Sequence, residues 1–251
     1  MKKTLLLITY IICLQYMQAQ VVDSVNTKSN TLRLDQLKSG NNTYVVYIQD
    51  SLNEPKYNFE LWERIIDKNA TSNKNTLVWN RYQNNKTKFY KYTIAFTNKL
   101  EPISEEVYHE DIKDGITVIT KKHFVYNGNQ MHSNPDSNKH TAKPVEVLDL
   151  KNSFNWELDL ETLSTLPLAK GKTFAINFYH PGSRIPPKYY DFVVDRSEKL
   201  TFNNKPLDCW VVKVVYSKKQ SSEFWIDKST HSVLQMREYF YGKYRYKKLI
   251  V

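Results

Sequence analysis

The stretch KFYKYTIAF (88–96) places Tyr90, Tyr92, Ile94 and Phe96 on one side of an extended chain. Period-two alternation of aromatic and β-branched residues marks a half-buried strand. Working outward, TFAINFY (173–179) repeats the pattern with Phe174, Ile176 and Phe178, and DCWVVKVVY (208–216) with Trp210, Val212, Val214 and Tyr216. Further strands are expected at Tyr44–Gln49, Tyr57–Glu63, Thr76–Tyr82, Glu223–Ile226, His231–Phe240 and Tyr244–Ile250, with a hairpin about Asp114-Gly115 in DIKDGITVI (111–119). One helix interrupts them. WELDLETLSTLP (156–167) sets Trp156, Leu160 and Leu163 on one stripe, with Asn155 as its cap and Pro167 as its stop. These patterns predict a mainly β, antiparallel chain with one short packed helix.

The first twenty residues, MKKTLLLITYIICLQYMQAQ, follow the order of a secretory signal peptide: two lysines, an apolar run, then a short polar stretch. Cleavage is expected near Ala19-Gln20, making 1–19 the leader and 20–251 a single mature β-rich domain. The expected address is periplasmic or extracellular. Cys13 is preceded by Ile12 instead of a small residue, which argues against lipidation. No later run is apolar and long enough to span a bilayer, which needs about 20 residues. If the mature chain has two halves, the polar loop 130–144 divides them into 20–140 and 145–251.

The 251-residue chain carries a net charge of +10, of which the two leader lysines account for 2. Its charges are scattered, with no block of five of one sign. Without Cys13, Cys209 has no disulfide partner, and its place in an apolar run reads as a small buried hydrophobe. All six glycines fall in turn-like settings, so none is left for a phosphate-cradling loop, and no nucleotide-binding motif occurs.

Candidate chemistry is sparse. In YHED, His109, Glu110 and Asp111 alternate across a strand and cannot all ligate one metal. His132 and His140 share a polar loop. Ser183, three residues after His180 in HPGSRIPP, sits in a proline-bounded turn with no G-x-S-x-G. Glu105 and Glu106 face apart, and Glu157, Asp159 and Glu161 complement the start of the helix. No catalytic residue, cofactor or metal is expected. The closing REYFYGKYRYKKLIV (237–251) interleaves tyrosines with cations, as a single-strand nucleic-acid platform would. Alternation sends Tyr244 and Tyr246 to one face and Arg245 and Lys247 to the other, which separates stacking rings from phosphate-holding charges. The expectation is a hairpin with rings inward and cations solvated, and no nucleic-acid partner.

From the helix onward, LAKGKTFAINFY, DRSEKLTFNNKPLDCWVVKVVY, SEFWIDKSTHSVLQMREY and GKYRYKKLIV resemble a family of exported bacterial proteins of unknown function, related in fold to the LolA-like lipoprotein and lipid carriers. The resemblance covers about 100 residues as a loose pattern. It implies a curved, half-barrel-like antiparallel sheet whose concave face holds an acyl chain or packs on its helix, with no catalytic residues. A ligand face would then comprise Tyr90, Tyr92, Ile94, Phe96, Phe174, Ile176, Phe178, Trp210, Val212 and Trp225, in a cavity of about 300 Å³ or more. The same residues would otherwise form a dry, filled core. Two function classes follow: an envelope module binding a lipid or lipoprotein, or an envelope structural module working through a protein partner.

Overall fold

The computed structural model describes residues 22–69, 71–83, 87–134, 146–147 and 149–250. The leader, Cys13 and residues 135–144 of the polar loop, including His140, lie outside the described residues. Sixteen strands are present among the described residues. The first half contains β1 (Val22–Val25), β2 (Gly40–Gln49), β3 (Tyr57–Asp67), β4 (Asn75–Gln83), β5 (Lys88–Phe96), β6 (Pro102–Lys113), β7 (Ile116–Asn127) and β8 (Gln130–Asn134). The second contains β9 (Glu146–Val147), β10 (Phe154–Asn155), β11 (Thr173–Tyr179), β12 (Lys188–Phe202), β13 (Lys205–Ser217), β14 (Gln220–Asp227), β15 (Val233–Phe240) and β16 (Lys243–Leu249).

All sixteen belong to one open sheet, in the order β1-β11-β12-β13-β14-β15-β16-β2-β3-β4-β5-β6-β7-β8-β9, with β10 also on β11. Every ladder is antiparallel except those of β1 and β10 on β11. The sheet passes from the first half of the chain to the second through the β2–β16 pair, where Tyr44 lies opposite Leu249. Register shifts at Val46/Ile48, Ala95/Phe96, Val194/Arg196, Val215/Ser217 and Trp225/Ile226 supply curvature, because an extra residue on one strand bends it and sharpens its twist. Residues 149–153 bridge the two ends of the ladder. Leu150 N donates to Asn129 O at 2.7 Å, Thr27 N to Asn152 O at 2.9 Å, and Asn177 Nδ2 to Lys151 O at 2.6 Å. Side chains complete the bridge: Phe124, Tyr126 and Met131 from β7 and β8 cluster with Leu150 and with Tyr179 of β11.

The helix lies inside this curl. A 3₁₀ turn (Trp156–Leu158) leads into α1 (Asp159–Ser164), and Asn155 caps the start by accepting from Glu157 N. Six residues are too few for a stable isolated helix, which needs about 12–15, so burial must hold it. Leu158, Leu160, Leu163 and Leu166 join the main core with Tyr44, Trp62, Leu77, Ile94, Phe174, Val212, Phe224 and Met236. A smaller cluster on the opposite sheet face contains Cys209, Val211, Trp225 and Leu234. Burial there pushes the Cys209 thiol up to about 11, which suits a packing role.

The structure corrects three expectations. The C-terminal alternation holds, but its direction is inverted. Lys247 pairs with Val46 and Met236 and faces the core side, while Tyr246 stacks on Tyr47 on the outer face at 5.2 Å. The sheet also contains a fifteen-residue strand, β12, that alternation does not announce, because its pattern breaks at the Val194/Arg196 bulge. Finally, Gln130–Asn134, the start of the predicted polar loop, forms β8.

Every second turn falls at the same end of the sheet. These are residues 50–56, 114–115, 180–187, 218–219 and 241–242. The chain enters the helix at this end, since Asn155 pairs with Tyr179 at the end of β11. This end is the mouth of the curl.

Candidate ligand-binding cleft

The concave face is charged where it meets the helix. Arg64 of β3 is fully enclosed. Its Nε donates to Glu161 Oε1 at 3.0 Å and its Nη2 to Glu157 O at 2.6 Å; Nη2 also reaches Glu161 Oε2 and lies 3.9 Å from Asp159. Burial by itself would favour deprotonation, but the facing Glu161 carboxylate outweighs it and raises the pKa of Arg64.

Above this layer a cleft of about 420 Å³ opens toward the mouth. Trp156, Phe178, Tyr190 and Tyr216 form one wall. Trp156 is the hub, with ring centroids 5.1 Å from Phe178, 4.9 Å from Tyr190 and 5.8 Å from Tyr216. Met236, Glu238, Arg245, Lys247 and Asp159 form the other wall, with His180 and Ile185 at the lip. Arg245 Nε donates to Glu238 Oε2 at 2.7 Å. Lys247 differs from these ion-paired cations. It has no hydrogen-bond or ion-pair partner among the described residues, and its Nζ sits 4.5 Å over the Trp62 ring. Burial lowers its pKa to about 8, against the pull of Asp159 and Glu238. The ammonium therefore remains protonated at neutral pH and is free to meet an anion in the cleft.

A second polar group adjoins the lip. His180 Nδ1 lies 2.9 Å from Glu157 Oε1, and this bond raises the histidine pKa. Asn155 Nδ2 donates to Glu105 Oε2 at 2.5 Å. Burial, and next the charge of Glu157, push the Glu105 pKa upward and favour its neutral acid form. The Tyr126 hydroxyl is buried without a partner. Among the described residues no three histidine, cysteine, aspartate or glutamate side chains converge to hold a metal. Ser183 Oγ accepts from Ile185 N at 3.0 Å and serves its own turn.

Of the ten residues predicted to face a ligand, Ile94, Phe96, Phe174, Ile176 and Val212 are fully buried core. Phe178 is core and also lines the cleft. Tyr92 stacks on Trp79 at 4.7 Å, Tyr90 meets His109 edge-on, and Trp210 lies under Lys228 Nζ at 4.0 Å. Trp225 does not belong with them. It packs on the opposite face with Cys209, because it pairs with Val211 and the alternation of β14 sends its neighbours Phe224 and Ile226 to the core side. Of the cleft lining only Phe178 belongs to that set; Trp156, Tyr190, Tyr216, Arg245 and Lys247 are among the residues absent from it. The alternation Tyr190, Phe192, Val194 in β12 was a usable signal for one of them.

A family model described as "Protein of unknown function (DUF3108)" matches residues 65–247. No curated protein matches the chain. Among solved structures, a β-barrel-like protein of the DUF1849 domain of unknown function from Brucella abortus is similar at TM-score 0.51 and 8% identity, covering 83% of this chain and 95% of its own. That likeness extends to the fold alone, and it agrees with the curled sheet. The matched span takes in most of the sheet, the helix and the cleft, and the chain belongs to the DUF3108 family.

Proposed function

We propose that this protein is an exported, non-catalytic envelope module that shelters an amphipathic ligand in the cleft, with an apolar part against Trp156, Phe178, Tyr190 and Tyr216 and an anionic group at Lys247. The observation that carries the reading is an enclosed lysine that forms no ion pair among the described residues, in a cleft walled by aromatic rings. A volume of about 420 Å³ suits a small ligand, since such pockets run from about 300 to 1,000 Å³. The signal-peptide pattern of residues 1–19 supports export. Kinship with LolA-like half-barrels belongs to the same proposal and rests on the C-terminal pattern. The deep concave face is packed on the helix, so the ligand occupies only the layer nearest the mouth.

Native mass spectrometry of the protein, mildly extracted from the envelope fraction, tests this. A bound mass, or a shift on adding a long-chain fatty acid, is expected. A clean apo mass that no fatty acid or phospholipid shifts removes the ligand, and recovery of unprocessed chain from the cytosol removes export.

A further inference from the structure

The mouth has a surface of its own. Five of the most exposed large apolar side chains sit there: Leu52 at 55%, Val215 at 61%, and Ile116, Ile185 and Tyr241 at 67% each. Three lie on turns, Ile116 opens β7 and Val215 lies at the mouth end of β13. They are distant in sequence, yet the strand order brings them to one rim. Contacts hold the rim together. Tyr241 N donates to Lys219 O at 3.0 Å and Lys243 Nζ reaches Asp50 at 3.4 Å. Single exposed apolar residues are ordinary on a soluble surface, but a group gathered at one end marks an interaction site.

The charge of the rim selects the partner. Exposed Lys56, Arg184, Lys188, Lys218, Lys219 and Lys243 outnumber Asp50, Glu54 and Asp114 on the same turns. Apart from Lys243, these cations form no ion pair among the described residues. Apolar tips that enter an interface, ringed by lysine and arginine, match an anionic bilayer surface, where each basic residue contributes about 1 kcal/mol. No helix among the described residues is long and apolar enough to cross a membrane, so the contact would be with the surface.

We infer that the mouth rim docks on anionic phospholipid, turning the cleft toward the bilayer. The inference stands apart from what the cleft holds, because of the five apolar rim residues only Ile185 also lines the cleft, at its lip.

Co-sedimentation of the envelope-purified chain with phosphatidylglycerol vesicles and with phosphatidylcholine vesicles tests it. Binding to the anionic vesicles alone is expected, weakening as salt is raised. Lys218→Glu with Lys219→Glu should lower partitioning by about tenfold or more. Leu52→Asp, Ile116→Asp and Tyr241→Asp combined should lower it further at unchanged circular dichroism. Equal binding to both lipids, or equal binding by wild type and the folded variants, overturns the inference. So does retention by an envelope protein without any vesicle binding. Vesicle binding that persists while native mass spectrometry finds the cleft empty leaves the rim assigned and removes only the ligand.

Discussion

Arg64 and Glu161 stand 97 residues apart in sequence and meet in a two-point, fully buried ion pair that fastens the helix inside the curled sheet. Removing one partner leaves an uncompensated buried charge, which costs about 3–5 kcal/mol. Arg64→Leu and Glu161→Leu should each destabilise by that order. The double variant should lose clearly less than the sum, leaving a coupling of about 2 kcal/mol in a urea-denaturation cycle. Strict additivity would show that the helix is held by its leucines alone.

Glu105 supplies a pH dependence. Its folded pKa, about 8, lies above the ordinary 4.5, so its stabilisation is complete below 4.5 and is lost as pH rises toward 8. His180, raised by its bond to Glu157, acts in the same direction from 6.5 upward. The wild-type melting temperature should therefore fall between about pH 5 and 8. Glu105→Gln should flatten that slope, and do so again in a His180→Asn background. An unchanged slope in both backgrounds would place the titration elsewhere.

Lys247 should show the opposite balance of stability and function. Its pKa is lowered from 10.5 to about 8, so the folded state resists the proton and stability rises as pH climbs through that window. Lys247→Met removes a buried charge while Glu238 keeps Arg245 and Asp159 keeps Arg64. The variant should be more stable at pH 7, by about 1–4 kcal/mol, while losing affinity for long-chain fatty acids. A destabilised variant with affinity intact would contradict the assigned role.

Gly182→Ala tests the seal across the mouth. The residue has φ of 76°, and a methyl there would press on Phe124. A cost of about 1–3 kcal/mol in chemical denaturation is expected. Phe124→Leu should recover part of it by yielding space, and no recovery would locate the cost in the backbone alone.

Much of the architecture was legible in the sequence because it is local. The expected bounds of β5 and β11 agree residue for residue, since each alternates without a break, and Asn155 caps the helix as its position implied. β12 escaped because DRSEK interrupts its apolar period at a bulge. In the C-terminal strand, alternation separates tyrosine from cation but does not tell which set faces inward. That facing follows from the register, which sets Lys247 beside the core residues Val46 and Met236. The cleft was illegible for the same reason. Trp156 and Tyr216 were each placed on an element, but their meeting depends on pairings distant in sequence.

The β2–β16 seam has a consequence for biogenesis. Tyr44 donates its hydroxyl proton to Val233 O, 189 residues downstream, and β2, paired on one side with β3, finds its second neighbour only in the last of the described strands to be synthesised. The nascent polypeptide thus cannot finish its interior while it is being made. Contacts of such long sequence separation put folding on a timescale of about milliseconds to seconds. Loss of the final strand would leave two unpaired edges in the middle of the molecule, a template for aggregation.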